Sequence, residues 1–205
     1  MPTKRKRFCS GSTQVGFSLI EVSIVVAIFL VVVAITIPNA SVLLNSVKLR
    51  GTAQDVAGIY QQARMRAVQD DSYYEVLPTP DATRAFVDTD GNGVPGNLLL
   101  QLPSGMVFSN AGAPAGLDQT KLGFTPLRTE SSTMFDLDGT NRPGLAWSSR
   151  GLPCQRTSAT SICQTGFGWV QYLQMQQGGQ SAYAAVTVSP AGRVKTWTYS
   201  GGVWR

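Results

Sequence analysis

Residues 17–37, FSLIEVSIVVAIFLVVVAITI, form a run in which Glu21 is the only charged residue. At ~1.5 Å rise per residue, a helix of this length crosses a ~30 Å hydrocarbon layer, so the run reads as a single membrane span. A buried core helix is rarely apolar on every face for so long. A secretory signal has a shorter apolar core, followed by small residues at a cleavage site. Here the short polar residues, Ser10 to Gly16, come before the apolar run.

Lys4, Arg5, Lys6 and Arg7 precede that segment. Basic residues beside a span stay on the cytoplasmic side, which sends the rest of the chain across the membrane. The remaining 13 basic residues nearly balance 12 acidic ones, so the net charge of +5 belongs mostly to the leader. Cys9 lacks the apolar stretch that a lipid-attachment signal requires before it. Glu21 is the anomaly inside the run. A carboxylate in the apolar layer costs about 2.5 to 3.5 kcal/mol on insertion scales and marks a function. No Lys or Arg lies in the segment, so its partner is a neighbouring molecule or a newly created cation.

The string Gly16-Phe17-Ser18-Leu19-Ile20-Glu21-Val22 resembles the signal of type IV prepilins and pseudopilins. The resemblance implies cleavage between Gly16 and Phe17 by a prepilin peptidase at the cytoplasmic face, with N-methylation of Phe17. It also implies a pairing of Glu21 with the N-terminal amine of an adjacent pilin or pseudopilin during assembly. Pro38 then marks a bend in a long first helix, as proline does when it deletes a helical hydrogen bond. Leu49, Ala53, Val56, Tyr60, Ala63 and Ala67 recur at spacings of three and four, continuing the helix to about Gln69 with one face on a sheet.

Beyond Asp71, short β-prone runs alternate with Gly, Pro, Asn and Asp. Strands are expected at 73–77, 84–87, 97–102, 106–109, 121–124, 134–137, 168–174, 182–189 and 194–199. The expected fold class is α+β and pilin-like, a long N-terminal helix packed on an antiparallel β-sheet domain. Its divisions are a leader at 1–16, a transmembrane helix at 17–37, an amphipathic continuation at 38–70 and a β-rich domain at 71–205.

Cys154 and Cys163, nine positions apart in the exported part, read as a disulfide, with two unpaired thiols as the rival. Asp88, Asp90 and Asn92 match the first half of a calcium loop. The closing position, which needs a bidentate Glu, is Leu99, so a structural turn at Asn-Gly and Pro-Gly is preferred over a metal site. The chain has no histidine, which removes the commonest general base and metal ligand. Ser148 and Ser149 have no such base, and no phosphate loop or zinc spacing occurs. The reading is a non-enzyme without a cofactor.

The AFVDTDGNG turn and Val186 to Lys195, VTVSPAGRVK, together with the single long helix, resemble the GspH/FimT family of minor pseudopilins and pilins. That resemblance implies a subunit of a type II secretion pseudopilus or a type IV pilus. It would be held in the bacterial inner membrane by one span, with the leader in the cytoplasm and the C-terminal domain in the periplasm or on a surface filament. The alternative is DNA uptake. After Asp138 every charged residue is basic, tryptophans are interleaved, and Gly192-Arg193-Val194-Lys195 resembles a basic DNA-binding motif of FimT-like pilins. The preferred reading makes Gly192 a turn, Arg193 and Lys195 solvated strand residues, and the tryptophans core.

Overall fold

The computed structural model describes residues 16–79, 81–88, 98–124, 127–129, 145–155, 163–177 and 180–205. The side chains of residues 35–43, 119, 127–129, 177 and 180 lie outside that description. Helix α1 spans Leu19–Gln69 and contributes to both compact units of the chain, Met1–Val42 and Leu43–Arg205.

In the first unit the helix begins at Ser18, whose carbonyl accepts the N–H groups of Glu21 (3.0 Å) and Val22 (3.2 Å). Ser18 and Glu21 have the spacing of a capping box, and Glu21 lies in the first turn, where the helix dipole favours a carboxylate. The hydroxyl of Ser23 donates back to the carbonyl of Ile20 at 2.8 Å, which satisfies a polar group within the apolar run. Leu19, Ile20, Val22, Ile24, Phe29 and Val32 are all exposed in this unit, with no stripe set apart as an inner face. Among the described residues no helix is long and apolar enough to cross a membrane. The run at 17–37 continues into residues 35–37, whose side chains fall outside the description, as does the kink expected at Pro38.

The second unit is α+β. Strands β1 (Tyr74–Pro78), β2 (Arg84–Asp88), β3 (Leu99–Gln101) and β4 (Met106–Phe108) precede a short helix, α2 (Gln119–Leu122). Strands β5 (Leu127–Thr129), β6 (Leu145–Trp147), β7 (Pro153–Gln155) and β8 (Gln164–Thr165) follow. The chain ends with β9 (Gly168–Gln177), β10 (Gln180–Val188), β11 (Val194–Ser200) and β12 (Val203–Trp204). They form two sheets, ordered β3-β2-β1-β6-β7-β8 and β12-β11-β10-β9-β4. Every pairing is antiparallel except β5, which joins β9 in parallel.

The second half of α1 keeps the face read from its periodicity. Leu49, Ala53, Val56, Tyr60, Ala63 and Ala67 are all buried, in one cluster with residues of both sheets. Val76, Val87, Leu145 and Trp147 come from the first sheet, and Trp169, Leu173, Ala184 and Val186 from the second. Alternation along the second sheet sends Val170, Tyr183, Ala185 and Trp197 to the opposite face. There they pack with Leu117 and Trp204 in a separate cluster.

Several expectations are corrected. The antiparallel β-rich domain is as expected, with two sheets among the described residues, but the short strands β6 to β8 that extend the first sheet were not expected. Of residues 121–124, expected as a strand, Lys121 and Leu122 close α2 and the two after them form no strand. Asp118 ends the preceding segment as a helix cap, its Oδ1 accepting the N–H of Lys121 at 2.9 Å, and this local bond outweighs the strand preference of Leu122 and Phe124. The strand expected at 134–137 lies outside the described residues.

The helix face predicts its own sensitivity. Ala63 has no exposed surface, and Ala63→Leu is expected to cost about 1 to 3 kcal/mol by overpacking, read as a lower denaturant midpoint.

Candidate functional site

The turn between β10 and β11 is built by Ser189-Pro190-Ala191-Gly192. The N–H of Gly192 donates to the carbonyl of Ser189 at 2.8 Å, with Pro190 at the position that its fixed φ suits. Gly192 has φ +82°, and a Cβ there would lie 3.1 Å from the Gly151 carbonyl oxygen and 3.2 Å from both Arg64 Cζ and Trp147 Cζ3. Arg64 fastens the turn to the helix. Its Nη1 donates to the carbonyl of Gly192 at 3.0 Å, and its guanidinium lies 5.5 Å from the centroid of the Trp147 ring. The glycine of the Gly-Arg pair is therefore a packing requirement.

Beyond the turn, Arg193 and Lys195 fall two residues apart on the side of β11 that also carries Trp197. The Lys195 ammonium lies 3.6 Å from the Trp197 ring centroid. Trp197 Nε1 donates to Thr187 Oγ1 at 2.9 Å, and that hydroxyl donates to the carbonyl of Lys195 at 3.3 Å, so the floor between the strands is hydrogen-bonded. Lys121, Leu122 and Phe124 supply the other wall of a groove of ≈ 300 Å³ lined also by Thr187, Ser189, Arg193, Lys195 and Trp197. The sequence singled out Arg193 and Lys195. It missed Lys121, which the short helix brings to them across more than seventy positions of chain.

The four tryptophans, expected as core, are buried, Trp197 being 8% exposed and Trp147 fully enclosed. Tyr199 and Tyr172 pack on Trp204 with ring centroids 5.3 and 5.8 Å away.

The remaining predicted residues lie apart from this groove. At the amino end, Gly16 precedes the first turn of α1, and nothing stands within 4 Å of where its Cβ would be. Phe17 and Glu21 are exposed. Cys154 and Cys163 are bonded, with Cα atoms 5.3 Å apart, bringing β7 to the start of β8. The loop-entropy relation gives such a short closed loop roughly 2 to 3 kcal/mol. Asp88 ends β2, while Asp90 and Asn92 lie outside the described residues. The register of β1 and β2 places Glu75 opposite Asp88, both buried, an arrangement that no sequence motif announced. Among the described residues no group of three or more His, Cys, Asp or Glu could hold a metal ion.

No family model, curated protein or solved structure matches this chain.

The two halves of the Gly-Arg pair separate experimentally. Gly192→Ala must place a side chain in a left-handed conformation against Arg64 and Trp147, at an expected cost of about 1 to 3 kcal/mol. Arg193→Ala, at an exposed position, is expected to change stability by less than about 0.5 kcal/mol in the same denaturation measurement.

Proposed function

We propose that this chain is the precursor of a filament subunit of the type IV pilin and pseudopilin class, a minor subunit of the GspH/FimT kind. The observation that carries the reading is the string Gly16 to Val22 at the entrance of a helix that runs to Gln69. A peptidase at the membrane face needs an uncrowded cleavage bond. Gly16 and Phe17 provide one, lying before the first helical turn with open space around Gly16.

Cleavage there removes Lys4 to Arg7 and creates an α-amine four residues before Glu21. In one subunit both groups occupy the same helix end. Between subunits staggered along a filament, the amine of one chain meets the carboxylate of the next. A charge pair in low dielectric is strongly dependent on distance, so that contact sets the axial step. The apolar side chains from Leu19 to Val32 then hold the subunit in the inner membrane before assembly and pack against neighbouring helices afterwards. The β-rich unit lies on the far side, in the periplasm or on the filament surface.

Mass spectrometry of the mature protein tests the processing step. The expected amino terminus is N-methylated Phe17, and an intact Met1 in cells that contain a prepilin peptidase overturns the proposal. A second measurement isolates assembly: Glu21→Ala is expected to be cleaved normally but to enter filaments poorly. Wild-type incorporation of that variant removes the role given to Glu21.

A further inference from the structure

The groove beside the β10–β11 turn gathers positive charge without a described counter-charge. Lys121 approaches from α2, and Arg193 and Lys195 from β11 and its turn. Among the described residues the ion pair found is Arg84 with Asp81 at 3.6 Å, so none of these three cations has a described carboxylate within ion-pair reach. Asp118, the acid nearest to Lys121 in sequence, caps α2 through the backbone N–H of Lys121. Like charges drawn into one concavity raise each other's energy, and the field focused there attracts an anion.

Two features select the kind of anion. The aromatic rings around the groove are already engaged. Lys195 covers Trp197, Tyr199 packs on Trp204, and the Phe124 ring is so close to Gly168 that a Cβ there would lie 1.9 Å from Phe124 Cε2. Among the described residues of the groove a nucleic-acid strand would find cations but no ring free of a packing partner. The second feature is the strand edge. β12 pairs with β11 only at Tyr199 and Ser200, with backbone bonds continuing to Thr198, so among the described residues Val194 to Trp197 carry no strand on their outer side. Arg193 and Lys195 stand two residues apart along this edge. In an extended chain, side chains two residues apart on one face are ~6.6 Å apart, the same repeat that an acid-x-acid sequence presents.

We infer that this groove and edge form a docking site for an extended acidic segment of a partner protein, which pairs along β11 and sets alternate carboxylates on Arg193 and Lys195, with Lys121 across the groove adding to the positive field. Strand addition supplies affinity through the backbone, and the three cations supply selection for acidic side chains. The inference does not depend on the membrane-anchor reading, since it uses only the second unit.

The test uses the full-length chain in mild non-ionic detergent and fluorescein-labelled decapeptides read by anisotropy at low salt. An alternating Thr-Glu decapeptide is expected to bind, and the Thr-Gln decapeptide and the Lys121→Ala/Lys195→Ala variant each to weaken binding by about tenfold or more. The Arg193→Glu variant is expected to lose the Thr-Glu peptide. A thermal melt that matches wild type shows that each variant is folded. Failure of the Thr-Glu peptide to bind the wild-type chain overturns the inference, as does equal binding by the folded variants. Tighter binding of a decathymidylate than of the peptide also overturns it, in favour of nucleic acid.

Discussion

The fold of the second unit depends on how closely a helix can approach two sheets. Ala53, Ala63 and Ala67 are fully buried, and each presents only a methyl group where the helix meets the sheets. Small side chains allow the helical backbone to come near, so larger residues from both sheets, Trp147, Trp169 and Leu173 among them, fill the space beside it. Leu49, Val56 and Tyr60 complete the same face. With alanines there, the helix is a shared wall for sheets that have no hydrogen-bonded strand in common.

Arg64 extends that wall to the loops. It lies on the helix a turn from Tyr60 and binds the carbonyl of Gly192 while covering Trp147. One side chain thus joins the helix, a core tryptophan and the hairpin turn. The register of β11 with β10 fixes which side of β11 faces the groove, and the turn held by Arg64 closes that pairing. The charge at the surface rests on packing inside, and the residue that links them is itself basic but faces inward.

Legibility in the sequence follows the range of the interaction involved. The helix and its buried face were readable because a repeat of three and four over Leu49 to Ala67 is a local pattern, and its end at Gln69 agrees with the change in composition beyond Asp71. The longer strands β9, β10 and β11 were readable because β-prone residues continue over seven or more positions between turn residues. β6 and β7, of three residues each, were not, since Leu145, Ala146 and Trp147 are buried on both faces and show no alternation. α2 was misread because one capping aspartate decided it. Of the groove, the sequence showed Arg193 and Lys195 but not Lys121, and no local signal connects them.

The same distinction governs the opposed carboxylates Glu75 and Asp88. Each was visible as a charged residue in a β-prone run, where alternation would place it toward solvent. Both are buried instead, on the face of β1 and β2 that also buries Leu77 and Phe86. A sheet that has an enclosed second face breaks the link between a polar letter and a wet position, and that enclosure is a property of the tertiary structure. At the amino end the reverse holds. Glu21 sits among apolar letters yet is exposed in the first unit. In the second unit the fold itself supplies the surroundings of its buried acids, Glu75 and Asp88.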